Sequence, residues 1–227
     1  METILIVGIN GSIGKAVATF FTEKGILCLG TSSRKDLLKN KIKGMFFLDL
    51  TDHESIDALN NKLPMLDAII FCSGLEPSCS LNDTNIKHHQ NMMNIHVSGP
   101  LFVVQSLNDK IKKGGSIIFI SSIAAKKGSY DPSYAIAKSA VEGMTRTLAN
   151  ELGTRLIRVN AIAPGLVKNT PVHKRMTQDF RENHLKKTLL KKLTTSIDCA
   201  QAIYFLHTQK QMTGQLVHIN GGQYFGN

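Results

Sequence analysis

Tyr134 and Lys138 stand four residues apart in Tyr134-Ala-Ile-Ala-Lys138, and Ser122 lies twelve residues before the tyrosine, closing an Ile-Phe-Ile-Ser-Ser run. On a helix that offset puts the phenol and the ammonium on one face, one turn apart. A phenol titrates near ~10 in water and exchanges protons poorly at neutral pH unless its anion is stabilised. An ammonium at roughly 4 Å, with an effective dielectric of about 20, contributes on the order of 4 kcal/mol, worth about three pKa units. The trio can therefore supply a tuned proton donor–acceptor, with the Ser122 hydroxyl holding the oxygen that Tyr134 protonates.

Such side chains need a frame. Short apolar runs predict strands over 3–7, 26–31, 45–49, 67–72, 115–121, 156–161 and 215–219, with helices near 12–24, 52–61, 84–111, 131–153 and 196–207. The strands are rich in Ile, Val, Leu and Phe with little polar alternation, as expected where helices cover both faces of a parallel sheet. Repeated strand–helix units predict a single-domain, doubly wound α/β fold of about seven strands. The stretch 165–195 carries no predicted strand and is expected to form a lid over the site.

The first strand runs into Gly8-Ile9-Asn10-Gly11-Ser12-Ile13-Gly14 before a helix. Glycines there permit a tight turn and close backbone approach to a pyrophosphate, which the helix N-terminus attracts. The second strand ends Thr31-Ser32-Ser33-Arg34-Lys35. An NAD site usually carries an acid at this point to hold ribose hydroxyls. Ser33 and Arg34 instead suit a 2′-phosphate, so NADP(H) is expected over NAD(H), which the loop can still admit.

At 227 residues the chain is long enough for a full core. Its start lacks the basic segment and long apolar stretch of a secretion signal, so a cytoplasmic location is expected, with no membrane association. Cys28, Cys72, Cys79 and Cys199 lack metal-type spacing and read as reduced, buried thiols. The histidines lack ligand spacing too, so no metal is expected. The net charge is +10, and between Lys168 and Lys192 eight cations face two acids. Three readings compete: a solvated face, a patch for an anionic substrate or acidic carrier, or nucleic-acid binding. No nucleic-acid motif accompanies the charge, so nucleic acid is not expected.

Taken in order, these motifs resemble the short-chain dehydrogenase/reductase family over nearly the whole chain. The opening loop resembles its Thr-Gly-x-x-x-Gly-x-Gly, with Val7 in the threonine place and Ser12 in the middle glycine place; Gly11 is expected to restore the backbone freedom. Asp49-Leu50 resembles the adenine contact, and Phe71-Cys72-Ser73-Gly74 occupies the place of Asn-Asn-Ala-Gly. Ser122, Tyr134 and Lys138 match the catalytic serine, tyrosine and lysine. Arg158 to Gly165 follows the segment that lies against the nicotinamide, implying contacts from Pro164, Gly165 and Val167, and Asn220-Gly221-Gly222 resembles the C-terminal turn. The resemblance implies that Tyr134 is the general acid or base, that Lys138 lowers its pKa and binds the nicotinamide ribose, and that Ser122 polarises the carbonyl.

One departure stands out. The family's relay asparagine, counted back from Gln105, is His96 here, and Asn94 would face another side of a regular helix. His96 can serve a proton relay, with pH sensitivity near ~6.5, or be a packed helix residue. The expected function is an NADP(H)-dependent reductase of a carbonyl, or oxidase of a secondary alcohol. A 3-oxoacyl thioester is one candidate substrate, given the basic lid. The alternative is a dinucleotide sensor without catalysis. The resemblance also implies a homotetramer or homodimer through residues near 84–111, 131–153 and 215–225.

Overall fold

Seven apolar runs become seven parallel strands, and their order decides where a site can form. The computed structural model describes residues 1–38 and 44–225. In chain order the elements are β1 (Thr3–Val7), α1 (Ser12–Glu23), β2 (Leu27–Ser32), α2 (Lys35–Leu38), β3 (Met45–Phe47), α3 (His53–Asn60) and β4 (Leu66–Phe71). Then follow α4 (Ile86–Met93), α5 (Gly99–Ser106), β5 (Ile111–Ile120), α6 (Ala124–Lys127), α7 (Pro132–Leu152) and β6 (Arg158–Pro164). The last are α8 (Pro171–Arg175), α9 (Gln178–Lys186), α10 (Ser196–Thr208) and β7 (Leu216–Ile219). The sheet runs β3-β2-β1-β4-β5-β6-β7. The chain leaves β1 toward one edge and returns at β4 to fill the other, so a crevice opens at the carboxyl ends of β1 and β4.

Alternate strand residues feed two cores, because successive side chains point to opposite faces. Leu5, Val7, Ile69 and Ile117 pack on one side with Ile56 and Leu59 of α3, Val103 and Val104 of α5, and Val141 and Leu148 of α7. Ile4, Ile6, Ile70 and Ile118 pack on the other with Val17 and Phe21 of α1 and Ala200, Ile203 and Leu206 of α10. Truncating any one of these leucines or isoleucines to Ala would cost about 2–5 kcal/mol. The single-domain, seven-stranded expectation therefore stands.

β6 ends at Pro164 rather than 161, the short helices α2, α6, α8 and α9 were not expected, and two further elements differ in a way that bears on the site. β5 begins at Ile111 rather than 115, in a stretch with Lys112, Lys113 and two glycines that carries no apolar run, and its register against β4 shifts between Leu66 and Ala68. The helix expected over 84–111 is broken: a π-helical turn, Asn94–Ser98, separates α4 from α5. The cause is Pro100. It has no N–H to offer the carbonyl of His96, and its ring crowds that carbonyl. The helix widens before it, and Gly99 N–H donates to Asn94 O, five residues back.

Candidate active site

Ser122, Tyr134, Lys138 and His96 come together on one cavity of about 630 Å³ at the carboxyl edge of the sheet. The glycine loop (Gly11, Ser12, Ile13), the turn after β4 (Ser73, Gly74) and the segment after β6 (Pro164, Gly165, Val167) also line it. Helix α7 positions the reacting pair. Asp131 caps it, its Oδ1 accepting from Tyr134 N–H at 3.1 Å, and Pro132 fits the first turn, where an N–H would go unused. The same wholly buried carboxylate accepts from Ser78 N–H at 2.9 Å and Cys79 N–H at 3.3 Å, and lies 2.9 Å from His88 Nε2. Burial opposes its charge, but the amides of Ser78, Tyr134 and Cys79 hold its carboxyl below the usual range. One acid thus ties the loop after β4 to the helix that carries the phenol.

Lys138 is 5% exposed, and its Nζ donates to Ile120 O at 2.8 Å while lying 5.6 Å from the centroid of the Tyr134 ring. Burial brings its pKa down to about 7. Tyr134 goes the other way. Burial pushes it up to about 12, the Ser122 hydroxyl lowers it, and Glu76 and Asp131 raise it. The expected depression of the phenol by the ammonium is therefore not what the site shows. The reason is physical: burial lowers the proton affinity of the ammonium itself, and its hydrogen bond goes to a backbone carbonyl. The phenol is held in its protonated form, as a weaker acid than in water.

His96 sits in the π-helical turn, 4% exposed, with its ring edge-on to Tyr134 at 5.7 Å between centroids. Its Nε2 lies 3.1 Å from Leu75 N and 3.0 Å from Leu75 O, accepting from the amide in one tautomer and donating to the carbonyl in the other. Burial, then the Lys138 charge, push it well below 6.5. The pH sensitivity expected near 6.5 is thus absent, and Nε2 is engaged with the loop after β4. That loop passes so close that a side chain on Gly74 would place Cβ 2.7 Å from His96 Cε1. Asn94, two residues earlier, is exposed.

The glycine loop departs from expectation at one point. Gly11 has φ −67, open to any residue, so it restores no special freedom. The left-handed turn falls on Gly8, φ +82, where a Cβ would meet Ser73 N at 2.6 Å. Asn10 Nδ2 and Ser73 Oγ are buried without a partner in the protein. The first turn of α1 has no side-chain cap and no acid to compete with a phosphate. Orphaned polar atoms beside an uncapped helix end fit a dinucleotide's pyrophosphate and sugar oxygens. Gly8, Asn10 and Gly14 are not among the residues that line the cavity, nor are Ser33, Arg34, Asp49 and Leu50, which follow β2 and β3 in the chain. Arg34 and Ser33 are exposed, and the Arg34 guanidinium is 2.8 Å from Asp36, the acid directly after the stretch read from sequence. The Asp49 carboxylate accepts from Thr51 N–H at 2.9 Å and Thr51 Oγ1 at 2.7 Å, shaping its own turn. The Leu50 side chain is in the core.

The profile of a family described as enoyl-(acyl carrier protein) reductase matches residues 8–223. The 3-oxoacyl-[acyl-carrier-protein] reductase FabG of Buchnera aphidicola subsp. Schizaphis graminum is 31% identical, over 98% of this chain and 97% of that protein. The chain belongs to the short-chain dehydrogenase/reductase family. Among solved structures, ElxO with NADP bound is 28% identical with a TM-score of 0.86, covering 98% of both chains. A short-chain dehydrogenase/reductase from Brucella melitensis superposes with a TM-score of 0.91 over 99% of this chain and 97% of that one, at 24% identity, and so attests to the fold.

Within this short-chain dehydrogenase/reductase, three supporting residues escaped the sequence reading. Asp131, directly before Pro132, carries the signal of a helix cap. Glu142 stands four residues beyond Lys138 on the same face of α7; it is 3% exposed, 3.1 Å from Lys126 Nζ, and accepts from Ser121 Oγ at 3.3 Å. Glu76 gave no signal, since only the fold brings it across the cavity to Val172 N–H, at 2.8 Å, and to Arg175. The basic stretch also divides. Lys187 lines the catalytic cavity, Arg175 pairs with Glu76, and Lys168, Arg181, Lys191 and Lys192 line a separate depression. All four cysteines are free thiols; Cys199 is buried and the other three are partly exposed. Among the described residues, no acid, histidine or cysteine cluster suits a metal, and no helix is long and apolar enough to cross a membrane.

Proposed function

We propose that this oxidoreductase reduces a carbonyl to an alcohol with NADP(H). The observation that carries the reading is the convergence of Ser122, Tyr134 and Lys138 on one cavity with the glycine loop and the segment after β6. The dinucleotide supplies or accepts the hydride. Ser122 donates a hydrogen bond to the substrate oxygen. Tyr134, kept neutral by burial, gives that oxygen its proton as the carbonyl carbon gains the hydride, so the product is the alcohol. Lys138, anchored on Ile120 O, balances with its ammonium the negative charge that the phenol gains as it gives up its proton. Burial keeps the phenol protonated at neutral pH, which is the form that reduction uses. The reading takes residues 165–195 as a lid, supported by Val172 of α8, Met176 between the two helices and Phe180 of α9, which line the cavity.

NADP(H) is favoured by Arg34 and by the likeness to ElxO with NADP bound, while Asp36 beside Arg34 draws part of that charge away. The reading includes a cytoplasmic homo-oligomer, supported by exposed Leu101 of α5 and Ile136 of α7; light scattering that finds a monomer at working concentration refutes the assembly. The test of the function is NADPH oxidation against a panel of ketones, aldehydes and 3-oxoacyl thioesters. Turnover is expected with at least one class, and Tyr134→Phe is expected to lower it about a thousandfold with dinucleotide binding intact. Binding without turnover across the panel would instead mark a dinucleotide sensor.

A further inference from the structure

Beyond the reacting groups, the cavity wall turns apolar through Leu166, Val172, Met176 and Phe180. At its mouth stand Lys127, from the end of α6, with His184 and Lys187 of the α9 region and Gln223 near the C-terminus. They form a built rim. Lys127 Nζ donates to Gln223 O at 3.3 Å, and Gln223 Nε2 lies 3.3 Å from His184 Nδ1. Burial and the Lys187 charge depress the proton affinity of Lys127; burial, Lys187 and Lys127 depress that of His184. Positive charge is thus crowded at one place. Among the described residues, the sole acid lining the cavity is Glu76, already engaged by Arg175 and Val172 N–H. Crowded like charges raise the free energy of the protein, and an anion placed among them would lower it.

We propose that this rim is a subsite for a carboxylate or phosphate group that the substrate carries beyond an apolar segment. The proposal rests on the oxidoreductase reading and names the substrate class for it: an amphipathic carbonyl compound whose far end is anionic. Lys127 and Lys187 hold the anion, and Gln223 fixes Lys127 against the lid so that binding draws α6, α9 and the C-terminal segment together. The sequence pointed to charge in the stretch from Lys168 to Lys192, but only Lys187 of those eight cations faces the catalytic cavity, and its partner Lys127 comes from elsewhere in the chain.

The test has a binding arm and a kinetic arm. With NADPH present at saturation, calorimetry compares hexyl phosphate, hexanoate and hexan-1-ol, which share an apolar segment and offer no carbonyl that the reduced dinucleotide can reduce. The anions are expected to bind about tenfold tighter than the alcohol, with the advantage shrinking as salt rises. Lys127→Ala/Lys187→Ala should erase the advantage, Lys187→Arg should keep it, and the two anions rank carboxylate against phosphate. Equal binding of anion and alcohol, or an advantage that survives the double variant, overturns the subsite. The kinetic arm compares 5-oxohexanoate with its methyl ester by kcat/KM. Reduction of both with no preference overturns the subsite and leaves the reductase reading intact. Reduction of neither, beside charge-selective binding that needs the two lysines, keeps the subsite and counts against carbonyl reduction.

Discussion

Helix α7 buries nine of its residues, Lys138 among them, whereas α9 buries none. Both line the same cavity, so its two walls are held by different means. The wall that carries Ser122, Tyr134, Lys138 and His96 grows from strand ends and helices sunk in the core, and moving one of those groups means disturbing many others. The wall of α8 and α9 is short, charged and exposed, attached through Glu76, the Val167–Thr194 bridge and the C-terminal turn. Rigid support suits proton transfer, whose geometry must be kept within fractions of an ångström. A lightly held wall suits substrate entry and can change its side chains at little cost to stability.

The strongest way to break that contrast is at Lys138, where support and chemistry oppose each other. Its pKa of about 7 in the fold lies below the ordinary lysine value near ~10.4. From roughly pH 7 to 10 the unfolded chain therefore binds more protons, stability rises with pH, and the full cost of burying the ammonium falls below pH 7. Lys138→Met is expected to lose about a hundredfold or more in turnover. Its Tm relative to wild type should nevertheless be higher at pH 6 than at pH 9, by a few degrees. A Tm difference that does not vary with pH would show that the buried charge has no such cost.

Next in size is Gly74→Ala, which drives a methyl group against the His96 ring. A loss of about 1–3 kcal/mol in denaturant unfolding is expected. Adding His96→Ala should make the double variant less destabilised than the sum of the singles, because the clash has then lost one partner. Strict additivity would refute the contact. The smallest effect is at Arg34, exposed and shared with Asp36. Arg34→Ala should raise KM for NADPH about fivefold and leave NADH nearly unaffected, as for a charge pair in open solvent. Equal changes for both dinucleotides would remove the 2′-phosphate from the explanation.

What the sequence disclosed follows the same division. The strands, the glycine loop and the Ser122, Tyr134 and Lys138 trio were legible because burial and helix spacing write themselves as local patterns. Glu76 and Lys127 were not, since each acts with partners far along the chain that only the fold brings near. The phenol's shift was misjudged for a related reason. Spacing along α7 predicts that an ammonium is close, but not that burial will lower its proton affinity and turn its hydrogen bond toward Ile120. Arg34 was read without Asp36 because the reading of that turn stopped at Lys35, one position short of the acid.

The widened turn at Asn94–Ser98 has one more bearing on the molecule. It takes up one residue more than a regular α-helical turn, and His96 rides on that widened stretch against Leu75 and Tyr134. The carbonyl of His96 is the one that Pro100 cannot serve, so the proline that breaks the helix also sets where the ring sits. An irregularity in the backbone thus seats one wall of the active site.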